Sequence, residues 1–388
     1  MKKITSKKDL AINGAIPAFK NPLHVGSPWI GDTRIFHQYI DDIFQSNRLT
    51  NDGPLVQELE KRIAEIHDVK HCLAICNGTT ALQIAIKALD LTGEVIVPSF
   101  TFIATVHATS WLGLTPVFAD IDPDTHNIDP ESIRSRITKK TTGIIPVHLW
   151  GRAVPVEELQ SIADEYNLKI ICDAAHAFAC SYKDKMIGNF GDCEVLSFHT
   201  TKFFNTFEGG AILTNNDELA EKIDSMRNFG FNEERNVIYS GYNGKMTEVC
   251  AAMGLVNLEN IVATIQQHLR IYEFYRNELT NFDSLNIINY NNENKNNYQY
   301  IVIEVQDDSP VSRNQIIDVL HAENIIARKY FWPCCHRYDV FKELYKNNNS
   351  LLNSEKLSEK VIVLPAGPEI DLDQAQTIID ILKVIIES

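Results

Sequence analysis

Three short segments contain residues whose types and spacing can do chemistry. In KHCLAICNGTTALQIAIKAL, residues 70–89, an apolar strand ends at Cys76, Asn77-Gly78 turns, and Thr79-Thr80 opens a helix. Free N–H groups and the helix dipole at such a terminus favour a phosphate, and Gly78 permits close backbone approach. In KIICDAAHAF, residues 169–178, Asp173 directly follows a strand, at the edge where α/β proteins bind ligands. That acid suits either a metal shared with His176 or a cationic ring nitrogen. In EVLSFHTTKFFNTFEGGAILT, residues 194–214, a strand runs into Ser197 and a loop carrying His199 and Lys202. A lysine held between Phe198, Phe203 and Phe204 loses solvent, which lowers its pKa and frees the amine for Schiff-base formation.

Each segment alone has a plainer reading: a threonine N-cap, an aspartate capping the next turn, and a surface lysine. Together they supply the three functions that pyridoxal phosphate requires: a phosphate anchor, an acid for the pyridinium nitrogen and an amine for the aldehyde. Phe102, in VPSFTFIAT after another strand, is placed either to stack on such a ring or to pack in the core.

The surrounding pattern must position these segments. Apolar runs at 72–76, 94–97, 115–118, 143–148, 169–172, 194–198 and 210–214 alternate with helical stretches at 80–89, 104–112, 156–166 and 217–229. Short continuous strands of this kind predict a mostly parallel sheet flanked by helices. Ahead of it, Asp52-Gly53-Pro54 starts a helix whose Leu55, Leu59 and Ile63 share one face. A single long helix over 246–279 leads out of this region. A strand at 298–305 and helices at 313–323 and 373–386 then make a smaller α+β unit. The expected organisation is an N-terminal segment with a large α/β domain over 1–255, and a small C-terminal domain over 256–388. The polar run 289–297 reads as a solvated hairpin tip.

The 388 residues carry 36 Lys and Arg against 51 Asp and Glu, a net charge of −15, which argues against a nucleic-acid partner. A small anion met by a local cluster of donors remains compatible. The eight cysteines show no CxxC spacing, and Cys72 and Cys76 lie in an apolar run suited to core packing. No window approaches the ~18 apolar residues of a membrane helix, and MKKITSKKDL lacks the apolar stretch of a signal peptide. A cytoplasmic protein without membrane association is expected.

Through LTNDGPLVQELEKRIAE, CNGTTAL, VPSFTFIAT, PVHLWGR, CDAAHAF, SFHTTKFFNTFEGGA, SGYNGKMTEVCAAMGLVNLE and VIVLPAGP, the chain resembles the DegT/StrS-type sugar aminotransferases over nearly its whole length. The resemblance implies a fold-type I pyridoxal-phosphate enzyme acting on a nucleotide-linked keto-sugar. It implies that Lys202 forms the Schiff base and that Asp173 pairs with the pyridine nitrogen. Gly78, Thr79 and Ser197 would hold the phosphate, Phe102 would lie against the ring, and His176 would meet the 3-hydroxyl side. Asn243 matches a position that reaches the partner subunit's cofactor phosphate, so a homodimer is implied. Lys245 stands where the family commonly has Arg; it keeps the charge and loses the bidentate fork. Lys245, Arg328, Lys329 and His336 are the candidates for binding the substrate's diphosphate, and no metal is expected.

Lys202 separates the chain from dehydratases of this family, which carry His there. SFHTTKFFNTFEGG is more similar to members that aminate C4 of dTDP-4-keto-6-deoxyglucose than to 3-aminotransferases with SFYP-x-K and a GDGG-like turn. The implied reaction moves an amino group from L-glutamate, through pyridoxamine 5′-phosphate, onto that sugar. The product would be dTDP-4-amino-4,6-dideoxyglucose, destined for a surface polysaccharide such as O-antigen or for a glycosylated metabolite. Amination at C3, or of a UDP-linked keto-sugar, is the alternative within the family. A pyridoxal-phosphate-binding regulator would keep the cofactor without turnover, and the intact Lys202 weighs against it. A nicotinamide oxidoreductase lacks its GxGxxG after the first strand.

Overall fold

The computed structural model describes residues 3–345 and 351–387. Seven strands form the central sheet: β1 (His71–Ile75), β2 (Glu94–Pro98), β3 (Thr115–Ala119), β4 (Thr141–Ile144), β5 (Lys169–Asp173), β6 (Cys193–Ser197) and β7 (Gly210–Thr214). Their spatial order is β1-β7-β6-β5-β4-β2-β3. β7 runs antiparallel to both its neighbours, and every other pairing is parallel. The expected α/β sheet is present with one reversed strand. An antiparallel return needs no crossover helix, so the connection from β6 to β7 is free to be the irregular loop that carries Lys202.

Successive residues of β1 divide between the two faces of the sheet. Leu73 and Ile75 pack with Leu82, Ile86 and Ile223, whereas Cys72 and Ala74 pack with Leu59 and Ile63. Helices Gly78–Ala88 and Asp217–Arg227 therefore cover one face, and Pro54–His67 with Glu248–Leu258 covers the other. The Asp52-Gly53-Pro54 turn has a specific cause. Glu248 reaches across to accept the N–H groups of Leu55 and Val56, and a Cβ on Gly53 would collide with that carboxylate.

Beyond residue 279, β8 (Leu285–Ile287), β9 (Ile301–Val305) and β10 (Val361–Leu364) form an antiparallel sheet in the order β8-β9-β10. Helices Ile261–Leu279, Arg313–Ala322 and Leu372–Ile386 supply its core through Tyr275, Leu320 and Leu382. The N-terminal stretch packs here and not on the large sheet. Ile4, Leu10 and Phe19 join this core, Leu23–His24 pairs in parallel with Ile325–Ile326, and Glu323 accepts the N–H groups of Ala11 and Ala18.

The single helix expected over 246–279 is two, Glu248–Leu258 and Ile261–Leu279, bent by 62°. The apolar period continues through the bend, so periodicity alone misses it. Asn260 leaves the helical region at φ −112° and ψ 9°, and the Asn257 side chain is committed to Gly31 N–H and the Asn205 carbonyl. Asparagine competes for backbone partners in this way and is a poor helix-interior residue. Among the described residues no single helix is long and apolar enough to cross a membrane.

Candidate active site

The functional segments meet where β1, β5 and β6 end. The cap of helix Gly78–Ala88 is Asn77 and not a threonine: its Oδ1 accepts the Thr80 N–H at 2.8 Å. The helix consequently begins at Gly78, and the amides of Gly78 and Thr79 lie in its open first turn. Backbones crowd here. A Cβ on Gly78 would stand 3.1 Å from Ser197 Cβ, and one on Gly210 would stand 2.8 Å from the Gly78 nitrogen. Two N–H groups and the Ser197 hydroxyl thus line a cradle that a side chain would fill, which fits a phosphate.

Asp173 ends β5 with 6% of its surface exposed. Its Oδ2 accepts from Thr105 Oγ1 at 2.7 Å and its Oδ1 from the Ala175 N–H at 3.1 Å. The bond to Ala175 is a turn cap, as the plainer reading had it, yet one cap leaves the carboxylate with further accepting capacity. Burial pushes its pKa up, while Thr105, Ala175, Lys202 and His148 pull it down. The neighbouring His176 Nδ1 accepts the Trp150 N–H at 3.2 Å.

Lys202 is partly buried, and its Nζ donates to Tyr300 Oη at 3.1 Å. Burial lowers its pKa to about 8, and the nearby Asp173 carboxylate opposes that shift. Phe198, Phe203 and Phe204 gather around Phe178 beneath the loop, with Phe178 and Phe204 stacked at 4.2 Å. They form the floor on which the loop is built. His199 turns away, with Nδ1 on Thr201 Oγ1.

An aromatic wall, mostly unforeseen, completes the site. Trp150 and Phe331 stack at 5.7 Å and 8°, and His176 lies near-parallel to both. Phe102 is 58% exposed and reaches Phe331 at 6.2 Å, so it is presented to solvent and not packed in the core. Since Nδ1 of His176 accepts, the hydrogen-bond network assigns its proton to Nε2. Burial, with the Lys202 charge, holds its pKa well below the usual value.

The run 289–297 is not a solvated tip throughout. It does join β8 to β9, but Asn297 is fully buried and donates to the carbonyls of His176 and Phe178. Gln299 Nε2 also donates to the His176 carbonyl. Tyr290 Oη shares its one proton between the carbonyls of Trp150 and Tyr300. These bonds clamp the start of β9 onto the turn after β5 and deliver Tyr300 to Lys202. The alternation in NNYQYIVIEV marked a strand, but nothing local marked Tyr300 as a partner of the lysine.

The segment carrying Asn243 and Lys245 runs beside the cradle, with Lys245 bridged to Ile75 and the Gly244 carbonyl accepting the Cys76 N–H. Asn243 is exposed, bridged through its backbone to Asn228, and Lys245 Nζ donates to Asn228 Oδ1 at 2.8 Å. Arg328 is exposed, and Lys329 Nζ is engaged by Asn314 at 2.6 Å. His336 is not a free cation for a diphosphate. It is 6% exposed with Nδ1 on Ser99 Oγ and Nε2 on Glu355, and burial lowers its pKa. It serves to tie β2 to the C-terminal region.

A second buried cluster joins His148, Cys172 and Glu194 within 4.8 Å. The polar atoms of His148 and Glu194 already have partners. His148 Nε2 meets Glu194 Oε2 at 2.8 Å, Nδ1 accepts the Val154 N–H, and Glu194 Oε1 accepts from Gly188 and Phe190.

Residues 32–383 match the model of the DegT/DnrJ/EryC1/StrS aminotransferase family. The dTDP-4-amino-4,6-dideoxy-D-glucose transaminase of Shigella dysenteriae is 38% identical over 94% of this chain and 100% of its own. The Escherichia coli protein of the same name is 37% identical over 93% of this chain and 97% of its own. The solved structure of DesI with its TDP-sugar product superposes with a TM-score of 0.93 at 40% identity, covering 97% of this chain and 96% of DesI.

Proposed function

Because the chain belongs to the DegT/DnrJ/EryC1/StrS aminotransferase family, we propose that it transfers an amino group from L-glutamate to C4 of dTDP-4-keto-6-deoxyglucose. The family makes it a pyridoxal-phosphate-dependent sugar transaminase. What carries the choice of sugar is the full-length likeness to two transaminases named for dTDP-4-amino-4,6-dideoxy-D-glucose. The reading places the reaction in the cytoplasm, with the nucleotide-sugar pool.

When bound, the cofactor supplies an aldehyde that condenses with amines and a ring that accepts electrons. The Gly78 and Thr79 amides and the Ser197 hydroxyl bind its phosphate. Asp173, ionised, keeps a proton on the ring nitrogen, and Phe102 lies against the ring. Lys202 holds and moves protons at Nζ; an amine with a pKa of about 8 both takes and returns a proton near neutrality. Tyr300 Oη accepts from that amine when it is free and keeps it in place. His176 donates from Nε2 towards the 3-hydroxyl side. Lys245, Arg328 and Lys329 remain candidates for the diphosphate, since all three residues are at least partly exposed.

The active unit is a homodimer in which Asn243 reaches the partner's phosphate site. The Asn243 segment supports this, with Val237, Ile238 and Tyr242 exposed at 64%, 52% and 61%, an apolar surface that calls for cover. Mixing inactive Lys202→Ala and Asn243→Ala chains under subunit exchange should restore up to about a quarter of wild-type activity. No recovery despite demonstrated exchange removes the shared site.

The decisive experiment incubates the holoenzyme with glutamate and a panel of dTDP- and UDP-linked keto-sugars. Product mass and amine position are read by NMR. Amination at C4 of the dTDP sugar is expected. Turnover confined to a 3-keto or UDP-linked sugar would shift the substrate, and no exchange with any sugar would favour the regulator.

A further inference from the structure

We propose that Thr105 is a positioning residue for Asp173, its hydroxyl holding the carboxylate ionised and aimed at the pyridine nitrogen. The inference rests on the reading that Asp173 serves that nitrogen. Thr105 lies in the first turn of helix Ile103–Trp111, only 1% exposed. Its hydroxyl has one proton, and the 2.7 Å contact to Asp173 Oδ2 spends it on the carboxylate. Thr101 Oγ1 lies 3.5 Å from Thr105 Oγ1, where a Thr105 hydroxyl that donates to Asp173 is still able to accept. An ionised carboxylate can only accept, so this polarity favours the charged form.

The β-branched side chain adds rigidity, because its χ1 is restricted where the helix holds its backbone. Asp173 is thus held from two directions: Ala175 N–H of its own turn fixes Oδ1, and a separate helix fixes Oδ2. The other groups acting on its charge are Lys202 from the loop after β6 and His148 from the turn after β4. Thr105 is the side-chain donor among them that makes direct contact.

The test labels aspartate with carboxyl 13C in cofactor-free protein and identifies Asp173 by the resonance lost in Asp173→Asn. Thr105→Val keeps the shape and removes the donor, so the Asp173 midpoint should rise by about one unit or more. Thr105→Ser keeps the donor and should titrate within about half a unit of wild type. In the holoenzyme, Thr105→Val should lower kcat by roughly tenfold to a hundredfold, with Thr105→Ser recovering most of it. Thr105→Ala is read the same way if the valine variant does not fold. An unmoved midpoint in a folded Val or Ala variant, or a serine variant that behaves like valine, would overturn the proposal. The carboxyl titration needs no cofactor, so its outcome is separable from failure of the aminotransferase reading.

Discussion

Two buried carboxylates stand on neighbouring strands, and they have opposite characters. Glu194 is fully buried on β6, in register with Cys172 of β5; Asp173 is the next residue along β5. Glu194 meets three donors: the His148 ring and the N–H groups of Gly188 and Phe190. Asp173 meets two, and stands at the open strand ends near an amine whose pKa burial has lowered. A buried acid with all its partners holds structure together. One left with spare accepting capacity beside a desolvated amine is equipped for a ligand.

The largest expected effect falls on the open side of this comparison. Lys202→Ala removes the group that both forms the Schiff base and carries protons, so turnover should fall by at least about 10³-fold. Cofactor binding should remain measurable through the phosphate cradle and Asp173. Borohydride reduction of wild-type holoenzyme, followed by peptide mapping, should label Lys202. Substantial activity in the alanine variant, or label on another lysine, would break the assignment.

The next effect separates the two carboxylates directly. Asp173→Asn should lower kcat by about 10²–10⁴-fold with little change in melting temperature, since an amide keeps the volume and loses the charge. Glu194→Gln should do the reverse. Its amide replaces an acceptor that serves a backbone N–H or His148, costing about 1–3 kcal/mol of stability while kcat per folded molecule stays within a few fold. Melting curves and kcat for the pair of variants check the crossing. If both variants lost activity equally, the distinction between site and scaffold would collapse.

That distinction also marks the limit of what the sequence discloses. Asp173 and the Asn77-Gly78 turn are legible at strand ends and Lys202 in the loop just beyond one, because strand ends follow from local apolar runs. The plainer reading puts that cap on a threonine and the structure puts it on Asn77, since either residue fits an N-cap. Tyr300, Trp150 and Phe331 were not legible as one wall, since their meeting depends on the second sheet docking beside the first. Asn297 shows the same limit from the other side: composition assigned it to solvent, and long-range bonds to His176 and Phe178 bury it. The bend before Ile261 was hidden for a related reason, as apolar period records which face is buried and not where an axis turns.

A smaller effect sharpens the contrast on the pH axis. The free Lys202 amine is the reactive form, and its pKa of about 8 lies well below that of an ordinary lysine. In cofactor-free protein, the rate of visible absorbance gain on adding pyridoxal phosphate should therefore rise with pH to a midpoint near 8. Asp173→Asn removes a negative charge that stabilises the ammonium, so it should move the midpoint down. A wild-type midpoint near ~10 would show that the amine is solvated.

The smallest effect concerns stability, and its sign is fixed by the same shift. The folded pKa of Lys202, about 8, lies below its unfolded value, so the unfolded chain binds more protons. Stability of the cofactor-free protein therefore carries a full penalty below pH ~8, and sheds it as pH rises through the window to ~10.4. Lys202→Met keeps much of the stem and removes the charge. At pH 7 it should melt higher than wild type by about 2–4 °C, and the advantage should shrink towards pH 10. The gain is small because Asp173 loses the nearby charge that helps keep it ionised. A gain independent of pH would assign the effect to packing of the methionine.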